Sequence, residues 1–167
     1  DREQDSRAAR DREAHVLMAM PMQLIFTKGS GKHDRMDVFR DGAAAESIDC
    51  PKQGIIPHDM VHYAVESTLH KRGFITRALD GEVASFQMQA EPESDGVERL
   101  VEVFQADGWS GWKSDPAEML DLYRVTCVAR QCEPLTLRHD DIEAVRARIL
   151  DLTEQWQSVP VGKSLAL

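Results

Sequence analysis

Strand-like segments precede helix-like segments in this chain, and that order is the strongest constraint on its fold. Residues 22–27 are apolar and rich in β-favouring side chains, while residues 35–40 and 45–50 alternate apolar and polar side chains. Turn-forming residues at 28–32 and 41–42 separate these segments, which predicts a three-stranded antiparallel meander. Because the helix-like segments then follow in sequence, we predict an α+β fold, in which a small antiparallel sheet packs against four or five helices.

Helix-start residues mark the later segments. Pro57 is expected at the first position of a helix, where its missing N–H costs nothing. Residues 91–96 are expected as a polar loop, after which residues 97–104 keep helical spacing. The Asp-Pro pair at 115–116 is a typical helix start with an Asp N-cap. The final helix is predicted from an apolar stripe at spacings of three and four residues: Ile142, Val145, Ile149, Leu152 and Trp156.

The chain has 167 residues, which suits one domain with its own core. We expect that domain to span residues 22–159. Residues 1–21, which begin with acidic residues and arginines and no apolar stripe, are expected to be a disordered or frayed tail. Residues 160–167 are expected to be a short C-terminal tail with an apolar end. Residues 83–90 alternate in a way that favours a further strand over a helix.

The charge of the chain excludes several classes of partner. A net charge of −9 disfavours general nucleic-acid binding, because phosphate contacts need a basic face. The same charge disfavours anionic membrane surfaces, and no apolar run reaches the roughly 20 residues of a membrane span. The three cysteines are an odd number and a poor disulfide framework, so we expect reduced thiols. These features favour a cytoplasmic protein.

The helix after Pro57 carries the densest group of potential ligands in the chain. His58, His62 and Glu66 are spaced i, i+4 and i+8, so they follow one edge of a helix. An i, i+4 pair brings two imidazoles close together, and imidazole with carboxylate suits zinc. We therefore predict a divalent-metal site formed by His58, His62 and Glu66. Cys50 and His33, which precede the helix, are candidate additional ligands.

Catalytic roles depend on which carboxylate remains free. If a bound zinc activates water for hydrolysis, Asp59 or Glu66 is the candidate general base. The segment differs from the zincin motif His-Glu-x-x-His, because Asp59 stands where that motif has glutamate. The plainer interpretations remain open. Asp59 is favourable in any first helical turn, and two histidines on a helix border also occur as half-exposed surface groups.

The same segment resembles a known sequence family. Residues 56–66 read Ile-Pro-His-Asp-Met-Val-His-Tyr-Ala-Val-Glu, and Gly73-Phe74 and Gly81 follow. They resemble a family of small uncharacterised bacterial proteins that share a Pro-His-Asp-x-x-His-x-x-x-Glu segment. The resemblance covers about residues 22–81. It implies that the segment is a family signature, and it implies no activity.

Two tryptophans indicate an alternative function. Trp109 and Trp112 flank Ser110-Gly111 in an expected loop. Large aromatic side chains are enriched at interaction surfaces, although they often only cover the edge of a core. With the acidic surface and the apolar residues 165–167, they suit a small interaction module or a homodimer. The unknown partner would then be a protein, whereas the metal site would act on a small molecule.

Overall fold

The computed structural model describes residues 22–81 and 91–167. Within these residues the chain forms four strands and five helices, and the α+β prediction is confirmed. The elements, in chain order, are β1 (Gln23–Thr27), β2 (His33–Arg40), β3 (Ala43–Pro51), α1 (His58–Leu69), α2 (Phe74–Leu79), α3 (Pro92–Trp109), α4 (Pro116–Ala129), α5 (His139–Gln157) and β4 (Ser164–Ala166). The expected tail at 1–21 and the expected strand at 83–90 lie outside the described residues.

The sheet is antiparallel, with the strand order β3-β2-β1-β4. In the β1–β2 register Leu24 lies opposite Val38 and Phe26 opposite Met36. All four side chains are buried, so one face of the meander forms one wall of the core. The meander prediction is therefore confirmed for the first three strands.

The C-terminal segment differs from the expected tail. Ser164–Ala166 forms β4, which pairs with β1 through Phe26 and Leu165. The backbone of Leu167 also exchanges hydrogen bonds with that of Leu24. A three-residue strand is too short to show a periodicity of its own. Its pairing depends on a β1 edge that lies far away in the sequence.

The helices pack around α1. This helix contacts α3 and α5, and its own residues Met60, Val61, Ala64 and Val65 are fully buried. The apolar stripe predicted for the last helix faces the core along the whole length of α5. Asp115 caps α4 as predicted, accepting a hydrogen bond from the Ala117 amide at 2.9 Å.

Helix α3 is longer than expected. It begins at Pro92, so the predicted polar loop at 91–96 is wrong. Pro92 occupies the first turn, and Glu93 and Asp95 add negative charge where the helix dipole favours it. The helix also runs through Trp109, which therefore ends a helix and does not lie in a loop. Among the described residues, no helix is both long and apolar enough to cross a membrane.

Candidate metal centre

Two neighbouring helices bring three potential ligands together. His58 and His62 lie on α1, and Glu98 lies on α3. His62 Nε2 is 2.7 Å from one oxygen of Glu98, and His58 Nε2 is 3.4 Å from the other. One ligand atom from each of the three residues lies within 4.8 Å of the others. The predicted histidine pair is thus joined by a carboxylate from a different helix than expected.

The site lies at the boundary between core and solvent. The His62 side chain is only 2% exposed, whereas His58 and Glu98 are 37% and 34% exposed. The two imidazole rings meet edge to face, with their centroids 4.8 Å apart. The buried histidine is therefore fixed by its surroundings, and the two other side chains leave one side of the group open to water.

Glu66 has a different place from the one predicted. Its carboxylate lies on the other side of His62, 3.2 Å from Nδ1. It also accepts hydrogen bonds from the amides of Gly73, Ile75 and Thr76 at 2.8 to 3.1 Å, and from the Thr76 hydroxyl at 2.8 Å. These donors surround the beginning of α2. Glu66 is thus a buried carboxylate that accepts hydrogen bonds from the backbone amides at the start of α2. It also contacts the Nδ1 side of His62, opposite the Nε2 atom that faces Glu98.

A glycine makes the close approach to Glu66 possible. A Cβ atom at position 73 would lie 2.7 Å from the Glu66 carboxyl carbon and 2.7 Å from a methyl group of Val97. No larger side chain fits that gap without moving both neighbours. Gly73 therefore has a packing role. It does not end α1 as a left-handed cap, because His70 takes that conformation, and Gly73 is instead the extended residue that precedes α2.

Charge holds the group together in the metal-free protein. Burial disfavours the charged form of His62, but the hydrogen bonds and negative charges of Glu66 and Glu98 outweigh this and raise its pKa to about 9. Burial also disfavours the charged form of Glu98, yet its contacts with His58 and His62 hold its pKa well below the usual range. His62 is therefore protonated at neutral pH and lies between two carboxylates.

The remaining candidate ligands lie outside this group. Asp59 is buried, and its carboxylate accepts a hydrogen bond from the Cys50 thiol at 3.4 Å. Burial, followed by the charge of Asp59, raises the pKa of Cys50 well above its usual range, so that thiol stays protonated. His33 begins β2 and is exposed. Of the described residues, neither Cys50 nor His33 belongs to the three-ligand group.

The two tryptophans behave differently from each other. Trp109 is 58% exposed, and its ring N–H donates to the backbone oxygen of Gln53 at 2.8 Å. Trp112 is half-buried and packs against Gly108, where an added Cβ would meet the ring at 2.5 Å. Its ring covers the edge of the core, so Trp109 is the more exposed aromatic surface of the pair.

Comparison of the chain with models of known families, with curated proteins and with solved structures gives no match. The family resemblance of residues 56–66 therefore stays a prediction. The geometry of His58, His62 and Glu98 is the basis for a functional argument.

Proposed function

We propose that this protein binds a divalent metal ion, zinc, through His58, His62 and Glu98. The observation that carries the proposal is the convergence of two imidazole nitrogens and one carboxylate oxygen within 4.8 Å of one another. Two histidines and one carboxylate are a ligand set known from catalytic zinc sites, which keep a further position open. The exposed side of the group is where that open position would lie.

Glu66 supports the same proposal as a positioning residue. Metal-binding histidines usually donate their second ring N–H to a carboxylate, which fixes the tautomer and the ring orientation. The Glu66 oxygen 3.2 Å from His62 Nδ1 provides such a partner, and it leaves Nε2 for the metal. Because Glu66 is itself held by three backbone amides, the His62 ring has little freedom to rotate.

Metal binding requires small movements of the three ligand side chains, which bring their ligand atoms to the separations found around zinc. Ligand atoms around a tetrahedral zinc are about 3.3 to 3.6 Å apart, as follows from zinc–ligand distances of about 2.0 to 2.2 Å. The group spans up to 4.8 Å, whereas the contact between His62 and Glu98 is shorter than a zinc site needs. The partly exposed side chains of His58 and Glu98 can rotate, and zinc would replace the proton that His62 carries.

An open coordination position would give the site hydrolytic chemistry. In catalytic zinc sites the metal lowers the pKa of its bound water to about 7, and a zinc ion here would supply the same chemistry. Asp59 and Glu66, the carboxylates predicted as general bases, are engaged by Cys50 and by the start of α2. A metal held by His58, His62 and Glu98 would supply the activated water for hydrolysis of a small-molecule substrate at the exposed side.

The test uses untagged protein stripped with a chelator and titrated with zinc in a calorimeter. We expect one zinc per chain for the wild type, and binding at least tenfold weaker for His58→Ala and Glu98→Gln. Glu102→Gln is the matched control, since Glu102 lies one turn further along α3 and pairs with Arg99. A wild type that binds no zinc, or a Glu98→Gln variant that binds as tightly as Glu102→Gln, contradicts the proposal.

Exposure of Trp109 favours a second function, contact with a protein partner or a second copy of the chain. A large aromatic ring that is 58% exposed is typical of an interaction surface. Light scattering of wild type and Trp109→Ala tests the homodimer. A dimeric wild type and a monomeric, equally stable variant would support the homodimer. Monomers in both cases would contradict it.

A further inference from the structure

Two of the three cysteines meet at the end of α4. The chain reverses there because Gln131 adopts a left-handed conformation, with φ of 55°. The amide of Cys132 then donates to the carbonyl oxygen of Cys127 at 3.0 Å. Bond lengths place the two Cα atoms within about 7 Å of each other once that hydrogen bond has formed. Disulfides span Cα distances of about 4.4 to 6.8 Å, so the backbone already holds the pair near bonding range.

The two thiols have unlike surroundings. Cys127 is fully buried, whereas Cys132 is half-exposed. Cys132 lines a polar cavity of about 210 Å³, together with Asp95, Arg99, Arg130 and Gln131. The guanidinium groups of Arg99 and Arg130 line the same cavity, and the carboxylate of Asp95 lies there as well. The cavity gives a small oxidant access to Cys132 before Cys127.

Arg99, which lines the same cavity as Cys132, lies close enough to affect Cys127 as well. Its Nε atom is buried and has no hydrogen-bond partner among the described residues, while its Nη2 pairs with Glu102 at 3.1 Å. The positive charge of Arg99 also acts to lower the pKa of Cys127. Burial and the neighbouring Cys132 thiol have the larger effect and raise that pKa to about 11. Cys127 therefore stays a thiol at neutral pH, which disfavours its direct reaction with an oxidant.

We propose that Cys127 and Cys132 are a thiol pair that a hydroperoxide such as hydrogen peroxide oxidises to an intramolecular disulfide. The Cys132 sulfur attacks one peroxide oxygen, the O–O bond breaks, and the departing hydroxide takes up the Cys132 proton as water. Cys132 is then a sulfenic acid. The Cys127 sulfur attacks the Cys132 sulfur, the S–O bond breaks, and the hydroxyl group leaves with the Cys127 proton as a second water.

Cys50 provides an internal comparison. It is buried beside Asp59, which accepts a hydrogen bond from its thiol. No guanidinium group is among the causes that shift its pKa, and those causes all disfavour the thiolate. We therefore expect Cys50 to stay reduced under conditions that oxidise the pair.

The experiment treats reduced, full-length, chelator-stripped protein with hydrogen peroxide and maps the products by mass spectrometry. Trypsin cuts after Arg124, Arg130 and Arg138, so Cys127 and Cys132 fall on separate peptides. We expect these two peptides to be joined by a disulfide and Cys50 to remain free. A product in which all three thiols stay free, or in which Cys50 is paired, overturns the proposal.

Single variants test the order of the steps. In Cys127→Ser, Cys132 should stop at a sulfenic acid that dimedone traps, and in Cys132→Ser, peroxide consumption should fall at least tenfold. Cys50→Ser should oxidise as the wild type does. Equal reaction of Cys132→Ser and wild type overturns the assignment of Cys132. Because Cys132 is half-exposed, this variant is expected to fold even if substitution of buried Cys127 proves disruptive.

Discussion

The Glu66 carboxylate should contribute more to stability than the Glu98 carboxylate, although both contact His62. One Glu66 oxygen accepts from Gly73 and twice from Thr76, and the other accepts from Ile75 and faces His62 Nδ1. Replacement by glutamine keeps the shape and one acceptor oxygen. The NH₂ group must then face donors, because every neighbour of the carboxylate is a hydrogen-bond donor.

The cost of Glu66→Gln follows from those contacts. The Ile75 amide loses its acceptor, and His62 loses a negatively charged partner in a buried position. An unsatisfied buried donor costs about 1 to 3 kcal/mol, and more when a charge is involved. We therefore expect the free energy of unfolding to fall by about 3 kcal/mol. Urea unfolding followed by circular dichroism, with a chelator present to exclude metal, measures this change.

Glu98→Gln is the matched comparison. Glu98 is 34% exposed, so water can replace the contacts that its carboxylate loses. We expect a loss of at most about 1 kcal/mol in stability together with weakened zinc binding. Two outcomes would refute the assignment of Glu66 as the structural carboxylate and Glu98 as the metal ligand. One is a Glu66→Gln stability within about 0.5 kcal/mol of the wild type, and the other is a larger destabilisation in Glu98→Gln.

Three further predictions concern His62 and the two tryptophans, Trp109 and Trp112. The pKa of His62 is raised from 6.5 to about 9, so its ion pairs stabilise the metal-free protein fully below pH 6.5 and are lost as the pH rises through 9. Unfolding in chelator should show a loss of roughly 3 kcal/mol over that window in wild type and none in His62→Gln. Gly108→Ala should lower stability by about 1 to 3 kcal/mol in urea unfolding, because its Cβ would meet the Trp112 ring at 2.5 Å, whereas Gly31→Ala, with no atom within 4 Å, should be neutral. Trp109→Ala should lower stability by less than about 1.5 kcal/mol in the same assay, since the ring is mostly exposed and has one hydrogen bond to lose.

Local patterns predicted the parts of the fold that depend on a single segment. The alternation in β2 and the apolar stripe of α5 are visible in sequence because each element buries one face. The pairing of β4 with β1 is not visible, since only three residues take part. The start of α3 was missed because the acidic residues after Pro92 suit a loop as well as a first helical turn.

The candidate site also contains residues that one segment predicts and residues that depend on the packing of distant segments. The spacing of His58 and His62 is local to one helix, so the pair was predictable. Glu98 was not, because its contact with them depends on how α1 and α3 pack. The sequence predicts Glu66 as a ligand on the same helix edge as His58 and His62, whereas α1 is central and buries its polar side as well, including Glu66. Its carboxylate therefore satisfies the amides of α2 and positions His62.

Anomalous X-ray scattering from crystals grown with one equivalent of zinc tests the central claim most directly. Data collected above and below the zinc absorption edge locate the metal without assumptions about its ligands. We expect one peak at about 2.0 to 2.2 Å from His58 Nε2, His62 Nε2 and a Glu98 oxygen, with Glu66 still bound to His62 Nδ1. The absence of a peak at these residues, or a peak coordinated by Glu66 in place of Glu98, would contradict the account.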